Sequence, residues 1–197
     1  MQNTLSYNEK YSAGYGGLYP EGHVIRFYEK FLKYEFGIDG SNVEKLLDFG
    51  CGNGTHPNYF ASKGFEVFGV DVSEVAIKRA KNLPKVNKKN FHVIPEGADI
   101  RHLFSNTFDI IFSNQALYYL DNTQLKNTLH QMDSLLSPDG IVFFTMIGTQ
   151  NYYYDYSREN RDGLRTVELN GRLNETTNIN FVDSEESLIN VFSMFNT

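Results

Sequence analysis

Two carboxylates and three glycines carry the most legible chemistry of this chain. In LLDFGCGNG, residues 46–54, Gly50, Gly52 and Gly54 alternate directly after a strand-like run. Glycine admits positive φ and lets a ligand approach the main chain closely. A strand-to-helix connection that merely needs flexibility would show the same glycines, so the acids decide. Asp48 lies two residues before Gly50, and Asp71 closes the next strand-like run, 17 residues after Gly54. An acid there can accept both hydroxyls of a nucleoside ribose, although Asp is also a common turn and helix-capping residue.

The spacing is G-x-G-x-G and not the G-x-G-x-x-G that cradles a pyrophosphate. Asp48 beside the turn would repel phosphate and suits a ligand bearing an ammonium and a sulfonium. S-adenosylmethionine has both, with a ribose and no phosphate.

The elements that must position these residues alternate along the chain. Residues 1–20 read as loop, and 21–36 as an amphipathic helix through Val24, Phe27, Phe31 and Leu32. Strands are expected at 43–49, 65–70, 90–94, 108–113 and 141–147, the last fully buried, with helices over 74–82 and 122–136. Thr55 and Ser73 are candidate helix caps, and Ser137 to Gly140 a turn. Such alternation gives a doubly wound, mostly parallel α/β sheet whose ligands sit beyond the carboxyl ends of the strands.

At this point the chain resembles the class I S-adenosylmethionine-dependent methyltransferases, of the small-molecule type. LLDFGCGNG, FGVDVSEVAIKRA (68–80), GADI (97–100), FDIIFSNQALYYL (108–120) and LLSPDGIVFFTM (135–146) are similar, in order, to that family's successive segments. The resemblance implies a Rossmann-like fold, S-adenosyl-L-methionine as cofactor and S-adenosyl-L-homocysteine as product. It implies that Gly50, Cys51 and Gly52 line the methionine moiety, that Asp48 organises the turn and that Asp71 holds the ribose. Val72, Asp99 and Ile100 would lie by the adenine, and Asn114 by the methionine amine. YNEKYSAGYGGLYP (7–20) resembles a segment that closes over the cofactor, which brings Tyr11 and Tyr15 to the sulfonium or the acceptor.

One domain is expected over residues 1–197: a cap at 1–36, a cofactor core at 43–147, an insert at 148–182 and a C-terminal helix at 183–197. Residues 166–169 and 179–182 are candidate short strands, and Asp183 with Glu186 a capping box. Relatives usually add two strands after the fifth. Without them the 141–147 edge needs a cover, from the 150–182 segment, a partner or a second copy in a homodimer.

The base is not fixed by spacing. His23 and His56 flank loops at the ligand edge, and Tyr119 stands where many relatives carry His. In the insert, Tyr152 and Tyr154 offer apolar surface with hydroxyl tips. Arg158, Arg161 and Arg165 would share a helical face and suit a carboxylate or phosphate. The expected acceptor is therefore a small, anionic metabolite methylated on O or N, unless these arginines only pair with Glu159 and Asp162.

Composition sets the outer bounds. Lys and Arg number 18 against 24 Asp and Glu, a net charge of −6, which disfavours nucleic acid as a partner. The single cysteine, Cys51, permits neither an intramolecular disulfide nor a cysteine metal cluster. No apolar run suits a bilayer and no secretory signal is visible, so a cytoplasmic location and no membrane partner are expected. Competing readings are a catalytically silent S-adenosylmethionine-binding subunit, a nucleic-acid or protein methyltransferase and, most weakly, a nicotinamide dehydrogenase.

Overall fold

The computed structural model describes residues 2–170 and 175–195. Five strands, β1 (Lys45–Phe49), β2 (Glu66–Asp71), β3 (Phe91–Val93), β4 (Phe108–Ser113) and β5 (Leu136–Phe144), form a parallel sheet in the order β3-β2-β1-β4-β5. Strand order reverses between β1 and β4, which opens a crevice at their carboxyl ends.

Side chains alternate across the sheet, and each face buries its own layer. Leu46, Ile110 and Phe112 point to one face, where they pack on α2 (Gly22–Arg26, continuing as π-helix Phe27–Glu35), α3 (Thr55–Ser62) and α4 (Glu74–Ala80) through Val24, Leu32, Phe60 and Ile77. Leu47 and Ile111 point to the other, against Leu125, Leu129 and Met132 of α5 (Asn122–Leu135). The sheet is thus doubly wound, as the sequence predicts. Ser73 caps α4 by accepting from the Ala76 N–H at 3.2 Å.

Five expectations are corrected. The N-terminus is not all loop: α1 spans Gln2–Ser12. Thr55 is the first residue of α3 and not its cap; Gly54 caps it with φ 84°. The capping box of α7 (Glu185–Val191) is Ser184 with Ser187, one residue beyond the expected start. The fifth strand begins at Leu136, and its residues are half-buried because it lies at the sheet edge. The expected turn at Ser137–Gly140 is instead looped out of register, since Phe108 opposes Leu136 but Ile110 opposes Ile141.

The segment after β5 builds a second sheet, β6-β9-β8-β7, from β6 (Ile147–Gly148), β7 (Ser157–Glu159), β8 (Leu164–Leu169) and β9 (Glu175–Val182). None of these strands pairs with β5, so among the described residues its outer edge is open. Both faces of β5 are covered, with Phe144 packing on Phe192 and Phe195 and Phe143 on Phe27 and Phe112. Residues 171–174, within the expected insert, and the final residues 196–197 lie outside the described set. No helix among the described residues is long and apolar enough to cross a membrane.

Candidate active site

β1 and β2 run side by side with Asp48 opposite Gly69, so both end at one level. The glycine turn folds back on β2: the Gly50 and Cys51 N–H groups both donate to the Val70 carbonyl, at 2.8 and 3.0 Å. Gly50 has φ 77°, and a Cβ there would collide with the Ala116 methyl. The Gly52 N–H donates to Asp71 Oδ2 and the Ser73 N–H to Asp71 Oδ1, each at 2.8 Å. Asp71 is thereby aimed across the turn.

The electrostatics of the two acids differ. Burial pushes the Asp71 carboxyl up, while the Ser73, Gly52 and Val72 N–H groups pull it back. Asp48 is fully buried, its Oδ2 lacks a hydrogen-bond partner, and burial followed by repulsion from Asp71 and Glu21 pushes it well above the carboxylate range. The Cys51 thiol is pushed up by burial and by both acids, which leaves it unreactive.

A cleft of about 280 Å³ opens above these residues. Val72, Ile94, Pro95, Gly97 and Ala98 form one wall, and Asn114, Ala116 and Tyr119 another. The roof is α1 and the loop after it, fastened at several points. Ser73 Oγ donates to Asn8 Oδ1 at 2.7 Å, Thr55 Oγ1 to the Gly17 carbonyl at 2.5 Å, and Lys10 pairs with Glu175 of β9. Tyr7, Tyr11, Tyr15 and Tyr119 meet there: Tyr7 is edge-on to Tyr119 at 5.5 Å, and Tyr11 to Tyr15 at 5.4 Å. The Tyr7 hydroxyl is buried beside Tyr119.

Two histidines stand at the far end. His56 Nε2 is hydrogen-bonded to Glu21 Oε2, and both line the cleft. Burial holds the His56 pKa below its ordinary value, against the opposing pull of Glu21. The neutral ring therefore donates from Nε2 to the carboxylate. His23 lies outside the lining; its Nε2 hydrogen-bonds Asn114 Oδ1 at 2.8 Å and its ring stacks on Phe143, which fixes the buried Asn114.

The structure thus gathers Tyr11, Tyr15, Gly50, Cys51, Gly52, His56, Asp71, Val72, Asn114 and Tyr119 around one cleft, with Asp48 beneath it. It does not gather the others. Asp99 is exposed and forked onto Arg101, which lowers its pKa to about 2, and Ile100 is buried in the core. Arg158, Arg161 and Arg165 share no helix: Arg158 opposes Thr166 and Arg165 opposes Glu159 in the β7–β8 hairpin. Arg158 pairs with Glu168 at 2.6 Å, and Arg165 stacks on Tyr154 at 4.7 Å. None of these, nor Tyr152, lines the cleft.

Sequence reasoning missed Tyr7, Glu21, Ile94, Gly97 and Thr128. For Tyr7 a signal existed, since Tyr7, Tyr11 and Tyr15 recur every four residues, the spacing of one helical face.

A doubly wound sheet, a glycine turn at its switch point and an acid at the end of β2 define the class I S-adenosylmethionine-dependent methyltransferase fold. The chain belongs to the methyltransferase domain family, whose model matches residues 21–196. It is similar to malonyl-[acyl-carrier protein] O-methyltransferase 2 of Ilyobacter polytropus, 27% identical over 133 residues that make up 66% of this chain and 48% of that one. It is also similar to a ubiquinone biosynthesis O-methyltransferase of Coxiella burnetii, 29% identical over 65% of this chain and 53% of that one. The chain thus spans about half the length of these curated relatives. Its fold is that of the CcbJ methyltransferase of Streptomyces caelestis, with TM-score 0.65, 15% identity, and coverage of 95% and 83% of the two chains.

Proposed function

We propose that this chain binds S-adenosylmethionine in the cleft and transfers its methyl group to a small-molecule acceptor. The observation that carries the reading is the pair of acids flanking a backbone cradle, Asp48 beneath the turn and Asp71 across it. The residues present fit the cofactor on three counts. The glycine turn lines the cleft with main chain, Asp71 keeps lone pairs for a diol, and Asp48 is a buried acid short of a partner. Gly50 and Gly52 would hold the methionine part, Asp71 the ribose, and Val72 and Ile94 the adenine.

The bound cofactor would supply an electrophilic methyl group on a sulfonium. The protein's own residues do the remainder. The α1 roof shuts out water and aligns the acceptor. His56, held neutral by burial and oriented by Glu21, takes a proton from an acceptor that has one to lose. His23 is a positioning residue that acts through Asn114.

Calorimetry with S-adenosylhomocysteine tests the reading. One site per chain is expected, with affinity at least tenfold weaker in Asp71→Ala. Absence of binding to the folded protein would overturn it. Binding with no transfer to any acceptor would instead favour the silent cofactor-binding subunit.

A further inference from the structure

We propose that the methyl acceptor is an amine, recognised through its cationic form by the tyrosine cluster and Glu21. The inference rests on the methyltransferase reading and names its substrate class.

The first support is the charge of the cleft. Among the described residues its lining includes the acids Glu21, Asp71 and Glu96 and neither a Lys nor an Arg. Asp71 belongs to the ribose position and Glu96 to the wall with Ile94 and Gly97. Among the other described lining residues Glu21 is the one charged side chain, hydrogen-bonded to His56. An anionic acceptor would lose its hydration there, and the Lys10 ammonium beside Tyr7 and Tyr15 is already paired with Glu175. Two of the arginines expected to serve an anion, Arg158 and Arg165, are committed to the hairpin instead.

The second support is the aromatic surface. Tyr7, Tyr11, Tyr15 and Tyr119 converge within 5.4–6.5 Å centroid spacings. A ring face attracts an ammonium, more strongly where water is displaced. Two of these rings already hold one: Lys10 Nζ lies 5.1 Å from the Tyr7 centroid and 6.0 Å from that of Tyr15, while pairing with Glu175.

The third support is the balance of the reaction. The bound ammonium first gives a proton to His56, which passes it to solvent; the neutral amine nitrogen then donates its lone pair to form the N–CH3 bond as the S–CH3 bond breaks, and that bond's electron pair stays on sulfur. Positive charge passes from sulfur to nitrogen, so a cation is present before and after transfer. An acidic, aromatic wall stabilises it throughout. A proton then leaves the methylated nitrogen to the His56–Glu21 pair. A carboxylate acceptor would annihilate both charges and gain nothing from this wall.

The test uses the full chain saturated with S-adenosylhomocysteine and three probes of one shape: benzyltrimethylammonium, benzyl alcohol and phenylacetate. Calorimetry is expected to show the cation bound at least tenfold more tightly than either of the others. Glu21→Gln should weaken the cation about tenfold and the alcohol less than twofold, with Glu21→Asp partly restoring the cation. Labelled-methyl transfer should favour primary and secondary amines over matched alcohols and carboxylates. Equal or tighter binding of phenylacetate or benzyl alcohol, no binding of the cation, or transfer to carboxylates would overturn the amine assignment. Failure of S-adenosylhomocysteine itself to bind would overturn the underlying reading and is seen before any probe is added.

Discussion

The Tyr11 hydroxyl occupies the space that a Cβ on Gly52 would need. Gly52 also has φ 53°, so the roof helix and the cofactor turn meet at a position that both sterics and backbone reserve for glycine. Gly52→Ala should keep the fold and lose the site. A non-glycine residue there costs about 1–2 kcal/mol, and Tyr11 must withdraw. Circular dichroism should be unchanged, while S-adenosylhomocysteine affinity drops at least tenfold. Wild-type affinity in the variant would show that Tyr11 does not close on the turn.

The His56–Glu21 pair sets an expected pH profile. Burial lowers the His56 pKa from its ordinary 6.5, Glu21 raises it and His23 lowers it again. With an acceptor that must lose a proton, kcat/KM should fall on the acid side with a midpoint below 6.5. Glu21→Gln removes the raising contribution, so that midpoint should move further toward acid. His56→Gln should abolish the limb and cost roughly 10²–10⁴ in kcat. The same shift bears on stability. A depressed folded pKa means the contribution is whole above 6.5 and lost as pH falls through the folded value. Urea midpoints at pH 5 and pH 7 should therefore differ more in the wild type than in His56→Gln.

Local chemistry made part of this molecule legible. Asp48, the glycine turn and Asp71 were readable because ligand and backbone both act on a few adjacent residues. The buried strands were readable because apolar runs have few alternatives. The roof was not. The helix α1 carries a polar sequence, QNTLSYNEKYS, and is held by distant contacts such as Asn8 to Ser73 and Lys10 to Glu175. The arginine series failed for a different reason. Spacings of three and four fit a helix, but Asp162-Gly163 interrupts them with φ values of 46° and 81°. That dipeptide favours a turn with two left-handed residues, and it makes a hairpin. Asp99 was lost to Arg101, two residues away, which captures it on the surface.

Asp48 trades stability for its place beneath the turn. Its folded pKa is raised, chiefly by burial and then by Asp71 and Glu21. Such a group contributes stability below its unfolded value of 3.8, and this is lost as pH rises toward the folded value. Asp48→Asn is a neutral replacement of the same shape. Its Tm should exceed that of the wild type at pH 8, with the gap closing toward pH 4. Affinity for S-adenosylhomocysteine, which retains the ammonium, should fall at least tenfold. A lower Tm at pH 8 would show that the carboxylate is compensated by a donor.

Lys10 and Glu175 join α1 to β9 across 165 residues of sequence. Both side chains are about three-quarters buried, at 27% and 22% exposure, so the pair is less screened than an exposed one. Its loss should cost on the order of 1 kcal/mol, concentrated on the roof, because α1 otherwise rests on a few side-chain contacts. Lys10→Met keeps an unbranched apolar side chain beside Tyr7 and Tyr15 and removes the charge. Amide exchange in residues 7–12 should then accelerate about fivefold, with β1 and β4 unchanged. The acceptor should dissociate faster as the roof opens more often. If exchange rises equally in the central strands, the pair supports global stability and not closure.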